Sequence, residues 1–189
     1  MTERLKLRRA RLQDSRALAQ VHIETWRHTY AGMVPDQYLA SMTLDEQARC
    51  WRHWINTSGA RESILLVETL PEDKAPEQSR IVGFGHAGPA RIRTPNRSGE
   101  VYTLYVDVDW QGQGIGRQLL HQLFAGLIEA GMDSAMIWVL ASNPSRFFYE
   151  AVGGQRIAER RERFAGVLLD EIAYSWPDLN ALQALKPGV

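Results

Sequence analysis

The chain has 189 residues, and its 22 lysines and arginines balance 22 aspartates and glutamates, which gives a formal net charge of zero. A chain of this length is expected to form one domain, with at most a small appendage, and its core needs no metal or disulfide for stability. The balanced charge argues against a general nucleic-acid binder, which usually carries an excess of basic residues.

Several features of the sequence bear on where the protein works. The only cysteine, Cys50, cannot form an intrachain disulfide, which favours a reducing compartment. The first residues are charged and lack the apolar stretch of a secretory signal, and no apolar run is long enough to cross a membrane. We therefore expect a cytoplasmic protein with no membrane partner. No group of histidines, cysteines and carboxylates has metal-ligand spacing, so we expect no metal.

The N-terminal third is predicted to form one strand and two helices. Leu5 and Leu7 alternate with charged residues, as in a short strand. Asp14 is a good N-cap for a helix that begins at Ser15. Residues 43–46 read as a capping box, and the apolar spacing behind them predicts a second amphipathic helix to about residue 56.

The middle of the chain is predicted to contain two strands and two loops. Residues 63–68 and 81–87 have the composition of strands, and the polar segment 69–79 between them reads as an exposed loop. Residues 89–98 contain three arginines and are also predicted to be a loop. This loop either is simply solvated or contacts an anionic group of a substrate or cofactor.

Residues 99–131 are predicted to form a strand, a turn and a helix. Residues 100–108 are rich in β-branched and aromatic side chains, and alternation places Glu100, Tyr102, Leu104 and Val106 on one face. A turn with glycine at every second position follows. From Ile115 onwards apolar residues recur at helical spacing, and a glycine stands where helices prefer to end.

Such a turn is suited to binding an anion. Glycines allow backbone N–H groups to point into one concavity. The helix that follows leaves its first N–H groups unpaired and carries a partial positive charge there, which suits phosphate or pyrophosphate. Arg117 can add a charge-assisted contact. The lysine of a Walker loop and the acidic residue of a dinucleotide fingerprint are both missing, so those nucleotide sites are disfavoured. A tight turn without a ligand is the other alternative.

The C-terminal part is predicted to add three strands and a short helix. Residues 135–140 form an unbroken apolar run, as in a buried strand. A short helix follows Asn143, and residues 155–163 and 167–176 read as two strands joined at Ala165-Gly166. We expect a single domain over residues 1–176, with residues 177–189 as a C-terminal tail.

Two motifs resemble the GNAT superfamily of N-acetyltransferases. The turn Gln111-Gly112-Gln113-Gly114-Ile115-Gly116 is similar to the family's acetyl-coenzyme A loop, Gln/Arg-x-x-Gly-x-Gly/Ala. Asn143, followed by Phe148-Tyr149-Glu150-Ala151-Val152-Gly153-Gly154, is similar to the family's asparagine and Phe-Tyr-Glu-x-x-Gly motif, although many members have Phe where this chain has Gly154. The order of elements also matches, and the resemblance reaches Trp176. It implies an α/β (α+β) GNAT fold with a mixed, mostly antiparallel central sheet and helices on both faces.

The resemblance implies an acetyl-CoA-dependent N-acetyltransferase. Its acceptor is then a primary amine of a small molecule, peptide or protein. The alternative is a catalytically silent module that binds or senses acyl-CoA on the same fold. In the family, the loop amides hold the cofactor pyrophosphate and the preceding strand holds the pantetheine arm. The residues thus expected at the cofactor are Leu104, Val106, Val108, Gln111, Gly112, Gln113, Gly114, Ile115, Gly116, Arg117, Asn143 and Tyr149.

The resemblance also assigns catalytic roles, each beside a simpler alternative. Tyr149 is expected to protonate the leaving thiolate, or else only packs on the sheet. Asn143 is expected to bond the cofactor arm, or caps the next helix. Glu100 is expected to take the amine proton through water, or is a solvent-facing carboxylate.

The acceptor pocket and the oligomeric state are further expectations. Many relatives form homodimers, and the two C-terminal strands could expose an edge for pairing. Aromatic side chains near the end of the first helix could hold an amine by cation–π contact, or belong to the core. These acceptor-pocket candidates are Trp26, His28, Tyr30 and Tyr38.

Overall fold

Seven β-strands form one sheet in the computed structural model, which describes residues 4–70, 79–94 and 97–184. The strands are β1 (Arg4–Arg9), β2 (Ser63–Leu70), β3 (Ile81–Thr94), β4 (Arg97–Val106), β5 (Ala135–Leu140), β6 (Gln155–Phe164) and β7 (Val167–Trp176). The helices are α1 (Ser15–Thr29), α2 (Asp36–Ser41), α3 (Leu44–Thr57), α4 (Ile115–Glu129), α5 (Arg146–Ala151) and α6 (Leu179–Ala184).

The sheet is mixed and mostly antiparallel, as expected from the sequence. Its strand order is β1-β2-β3-β4-β5-β7-β6, and every neighbouring pair is antiparallel except β4 and β5. The parallel pairing is short, because only Gly99 with Ala135 and Glu100 with Met136 are paired. Both strands continue beyond these pairs, to Val106 and Leu140. The sheet therefore opens into a wedge between the later parts of β4 and β5.

Helices cover both faces of this sheet. On β2, Leu65 and Val67 belong to a core that includes α4, whereas Leu66 belongs to a second core with α1 and α3. Successive side chains of a strand point to opposite faces, so one strand serves both cores. Trp51 of α3, at 0% exposure, fills the second core.

The capping predictions for the two long helices have different outcomes. Thr43 caps α3 as predicted, since its Oγ1 accepts a hydrogen bond from the amide of Glu46 at 3.4 Å. Asp14 stands before α1 but makes no capping bond through its side chain. Its carboxylate instead accepts hydrogen bonds from the Arg8 guanidinium and the Arg11 amide, each at 2.7 Å. Asp14 thus ties β1 to the start of α1.

The prediction of a loop over residues 89–98 is wrong. β3 runs to Thr94 and β4 begins at Arg97, with Pro89 paired to Gly99 and Thr94 to Arg97. Strand pairing therefore overrides the polar composition of this segment. The side chains of residues 93 and 97 lie outside the described residues, as does segment 71–78 of the other predicted loop. The short helices α2 and α6 were not predicted, because one or two turns give too little periodicity.

The predicted alternation along β4 is also wrong, because the strand contains a bulge. His86 pairs with Thr103 but Ala87 pairs with Val101, so Tyr102 is an extra residue. Tyr102 packs against His86, with ring centroids 4.7 Å apart, on the face that carries α3. Leu104 and Val106 pack on the α4 side, and Glu100 lies with Tyr102 on the opposite face.

His22 is a buried polar side chain at the centre of the second core. It is 6% exposed, and its Nδ1 accepts a hydrogen bond from Nε1 of Trp51 at 3.2 Å. Its ring stacks on that of Tyr105 with centroids 5.7 Å apart. Burial lowers the pKa of His22 from 6.5 to about 4, so the imidazole is neutral in the folded protein at physiological pH.

Protonation of His22 should make the fold acid-sensitive. The unfolded chain binds a proton near pH 6.5 and the folded chain only near pH 4, so the free energy of unfolding falls as pH decreases across that range. We expect His22→Gln, which retains a hydrogen-bond acceptor but cannot be protonated, to lose less stability between pH 7 and pH 4. Urea unfolding at a series of pH values measures this. Parallel profiles for the two proteins would show that His22 is not the acid-sensitive group.

Candidate active site

A groove of about 1130 Å³ lies between the glycine turn, the start of α4 and helix α5. Most residues expected at the cofactor line it, and they come from three secondary-structure elements and the turn between two of them. Those residues are Leu104 and Val106 of β4, Gln111, Gly112 and Gly114 of the turn, Ile115, Gly116 and Arg117 of α4, and Tyr149 of α5.

Three residues expected at the cofactor lie elsewhere. Val108 is 44% exposed and lines a smaller pocket beside α1. Gln113 is exposed at the tip of the turn. Asn143 lines a small cavity at the inner end of the groove. The strand had been expected to continue to residue 108, but β4 ends at Val106 and Val108 begins a short 3₁₀ turn.

The glycine turn has the backbone geometry of an anion cradle. Gly112 and Gly114 have φ angles of 74° and 82°, a left-handed conformation that favours glycine. A Cβ atom added at either position would meet nothing within 4 Å, so both positions face open space. The first hydrogen bond of α4 runs from the Gln118 amide to the Gly114 carbonyl. The preceding amides of the helix therefore have no partner within it.

Other side chains complete the groove and escaped the sequence analysis. Phe148 comes close to the turn, since a Cβ atom on Gly116 would lie 3.6 Å from its ring. His121 lies one helical turn beyond Arg117, and Trp110 precedes the glycines; both line the groove. The spacing of Arg117 and His121 along one face of α4 is the signal that could have identified His121.

A small cavity of about 70 Å³ lies in the wedge between β4 and β5. Thr25 of α1 and Tyr30, which directly follows α1, line it together with Thr103 of β4 and Trp138 of β5. Tyr149 lines both this cavity and the groove, as do four other residues. The groove and the cavity therefore meet at Tyr149.

Tyr149 is buried on α5 with its phenol retained in the protonated form. It is 5% exposed and packs edge-on against Phe148, with ring centroids 5.3 Å apart. Burial raises the pKa of the Tyr149 hydroxyl above its usual value near 10. At neutral pH this hydroxyl can donate a hydrogen bond or a proton.

Asn143 organises the polar side of the cavity. Its Oδ1 accepts a hydrogen bond from the Ser145 amide at 2.9 Å, so the side chain stabilises the turn that leads into α5. Asn143 and Tyr30 both line the cavity. The Tyr30 hydroxyl in turn lies 3.2 Å from that of Tyr105. Burial raises the pKa of both tyrosines, so both are neutral.

Glu100 lies at the end of the wedge where β4 and β5 are paired, and its side chain is hydrogen-bonded to Arg91. It is 2% exposed, which rules out a solvent-facing carboxylate. Its oxygens accept hydrogen bonds from the backbone amide of Arg91 at 2.9 Å and from Nε of the Arg91 guanidinium at 3.0 Å. Nη2 of the same guanidinium is a third donor. The ion pair raises the pKa of the Arg91 guanidinium. Glu100 lines neither the groove nor the cavity.

The aromatic candidates for the acceptor pocket separate into two places. The centroid of the Trp26 ring lies 4.7 Å from that of Tyr30 and 5.9 Å from that of Tyr38. All three side chains pack in a small core with α2. Only Tyr30 among them also lines the wedge cavity. His28 is exposed and lines the pocket beside α1.

Neither a metal-binding cluster nor a membrane-spanning helix occurs in the described ranges 4–70, 79–94 and 97–184. No cluster of three or more histidines, cysteines or carboxylates there could hold a metal ion. No helix in this part of the chain is long and apolar enough to span a membrane.

Comparisons with known proteins give the site a context. A family model described as an acetyltransferase (GNAT) domain matches residues 38–171. The N-acetyltransferase YuaI of Bacillus subtilis, itself described as uncharacterized, is 34% identical over 179 residues, which are 95% of this chain and 96% of that protein. The N-alpha-acetyltransferase RimI of Mycobacterium tuberculosis is 39% identical over 82 residues, which are 42% of this chain and 50% of RimI.

A solved structure extends the comparison to the fold. The yncA protein of Salmonella typhimurium, whose structure contains its cofactor acetyl-CoA, matches with a TM-score of 0.66. The match covers 93% of this chain and 94% of yncA at 18% sequence identity. At this identity the likeness concerns the fold.

Proposed function

The chain belongs to the GNAT family of N-acetyltransferases, and on that premise we propose that it transfers the acetyl group of acetyl-CoA to a primary amine of a small molecule, peptide or protein. The observation that carries the proposal is the meeting of two spaces along five shared lining residues, of which Tyr149 carries the titratable hydroxyl. A groove with an open glycine turn at a helix N-terminus joins a cavity in the sheet, and the neutral Tyr149 lies at the junction.

The described residues fit acetyl-CoA as the donor. The left-handed Gly112 and Gly114, the unpaired amides at the start of α4 and the exposed Arg117 suit a pyrophosphate. The edge of β4 that faces β5 has no strand partner beyond Glu100, so it is available to the pantetheine arm. When bound, acetyl-CoA supplies the acetyl group as an activated thioester. The acetyl-CoA in the yncA structure supports the same donor.

Acyl transfer to an amine makes three demands on the chain. The amine must reach the wedge with a free lone pair, the thioester oxygen needs a hydrogen-bond donor, and the leaving sulfur needs a proton. Tyr149 Oη is proposed to give that proton, because it is buried at the junction and protonated, and the proton that the nitrogen loses on forming the amide restores the hydroxyl. The family membership favours this enzyme over a silent acyl-CoA module, and the name of RimI supports an amine acceptor.

The role of Glu100 as the base stays a prediction from the resemblance. Both carboxylate oxygens already accept hydrogen bonds from Arg91, and Glu100 lines neither the groove nor the wedge cavity. This geometry favours a structural ion pair that holds the start of β4. The expected contacts of Asn143, Val108 and Gln113 with the cofactor also stay predictions.

Domain extent and location are further parts of the proposal. One domain over residues 1–176 with a tail to residue 189, in the cytoplasm, remains our proposal. Leu179 of the tail is 0% exposed, and its amide donates to the Asp133 carbonyl at 2.7 Å, so this part of the tail packs on the core.

Replacement of Gly114 tests the cofactor cradle. Gly114→Val should abolish binding of acetyl-CoA in calorimetric titration, because its side chain would project into the anion site and strain a left-handed residue. Gly166→Val is the matched control, since Gly166 also has a positive φ (86°) and open space around it but lies in the β6–β7 turn. Unchanged affinity in folded Gly114→Val would remove the turn from the site.

Replacement of Tyr149 tests the proton donor. Tyr149→Phe keeps the ring and its packing, so affinity for acetyl-CoA should change little while turnover falls about 10²- to 10⁴-fold. Tyr174→Phe is the matched control, because it removes a buried hydroxyl that bonds Glu150 outside both cavities. Turnover is measured as thiol release with amines from a screen. Full activity of Tyr149→Phe would leave this residue only a packing role.

The same measurement on Glu100→Gln separates a base from a structural group. If Glu100 is the base, the variant has a lower turnover than the parent at pH 7. Its turnover then recovers in part as pH rises, because more of the amine is already neutral. The pairing with Arg91 leads us to expect the other result, turnover near that of the parent with lower stability. A pH-dependent recovery would establish Glu100 as the base.

A homodimer remains a prediction from the resemblance. The exposed edge strand β6 carries many charged side chains, which usually oppose edge-to-edge pairing. If a dimer forms, we expect it to use another surface, and a charge-reversing pair such as Arg161→Glu and Arg163→Glu should leave it intact. Light scattering at micromolar concentration gives the mass, and a monomer would end the prediction.

A further inference from the structure

Two threonine hydroxyls in the wedge have no hydrogen-bond partner among the described residues. They are Oγ1 of Thr25 on α1 and Oγ1 of Thr103 on β4, and both atoms are shielded from solvent. Thr25 is only 6% exposed. A buried hydroxyl without a partner lowers the stability of the fold, and folded proteins carry few of them. Both residues line the wedge cavity, and no described group occupies either hydroxyl.

The wedge cavity continues into a second pocket on the α1 side. This pocket has a volume of about 150 Å³ and lies between α1 and the turn after β4. Thr25, Thr29 and Gln111 line both spaces. The groove proposed for the cofactor opens on the α4 side of the sheet. The wedge is therefore accessible from two sides, as a reaction between two molecules requires.

The mouth of the α1-side pocket carries more negative than positive charge. Glu24, Asp107 and Asp109 line it together with Arg80. The guanidinium of Arg80 is paired with the buried Asp107 at 2.5 Å, so these two charges offset each other. Glu24 and Asp109 are exposed and remain to act on an incoming molecule. Such a mouth attracts cations and repels carboxylates.

Resting on the proposed function, we infer that the α1-side pocket admits the acceptor, a small primary amine that bears a second cationic group, and that the Thr25 hydroxyl binds its reacting nitrogen. A neutral primary amine has two N–H bonds and one lone pair. When the oxygens of Thr25 and Thr103 accept the N–H bonds, the lone pair is left to face the junction at Tyr149. Glu24 and Asp109 then lie at the mouth, where the second cationic group remains.

Two probe amines of equal length test the charge preference. The first is 1,5-diaminopentane, and the second is 5-aminopentanoate, which replaces one ammonium by a carboxylate. We expect kcat/KM, measured by thiol release from acetyl-CoA, to favour the diamine by at least about tenfold at low salt, and the preference to shrink as salt is raised. The double variant Glu24→Gln with Asp109→Asn should reduce the preference. Equal values for the two amines would overturn the inference.

Replacement of Thr25 tests the binding hydroxyl. Thr25→Val keeps the shape but removes the hydroxyl, so kcat/KM for the diamine should fall about 10- to 100-fold. The thermal midpoint should stay the same or rise, because an unpartnered polar group has been removed. Calorimetry should show unchanged affinity for acetyl-CoA. Thr25→Ser should restore most of the activity, and Thr57→Val, whose lost hydroxyl bonds the His53 carbonyl on α3, should behave like the parent.

The outcomes separate this inference from the proposed function. Parental kcat/KM in Thr25→Val would overturn the inference, as would a parallel loss of stability and activity that Thr25→Ser does not restore. Both results count against the inference only if the parent enzyme acetylates the diamine. A parent that binds acetyl-CoA but releases no thiol with any amine would instead overturn the proposed function, and the inference with it.

Discussion

The short parallel contact between β4 and β5 is the constraint on which the site depends. Only two residue pairs join the strands, and the joined end is closely packed, because a Cβ atom on Gly99 would lie 2.9 Å from the Ser134 carbonyl oxygen. The buried carboxylate of Glu100 holds Arg91 of the neighbouring β3 at the same level. Beyond this point each strand follows its other neighbour, β3 or β7, and the gap between them becomes the reaction space.

The elements on either side of this gap bring the two reactants together. Helix α4 begins where the glycine turn ends, so its unpaired amides face the groove. Helix α5 lies across from them and places Tyr149 at the junction with the cavity. The departure from the family pattern at Gly154 has a local cause. A Cβ atom there would lie 2.8 Å from the Tyr149 carbonyl and 2.9 Å from the Trp176 ring, which occupies the adjacent space.

Polar groups around the wedge fall into two sets. The Asn143 side chain accepts a hydrogen bond from the Ser145 amide, and the Tyr30 and Tyr105 hydroxyls bond to each other, so these groups help to fix the cavity wall. The hydroxyls of Thr25 and Thr103 are not used in this way. Because an unsatisfied buried group costs stability, this contrast distinguishes side chains that build the wall from those available to a substrate.

The sequence by itself determined the order of the strands and longer helices, the glycine turn and the family, since strand alternation, helical spacing and glycine-rich turns are local patterns. Only the tertiary structure decided that residues 89–94 pair as a strand and that Glu100 is bonded to Arg91. It also decided that the bulge at Tyr102 places Glu100 and Leu104 on opposite faces, that His28 lies apart from Trp26, and that the Thr25 hydroxyl lines the wedge. These features depend on strand register and helix docking between distant segments, which neighbouring residues in the chain do not encode.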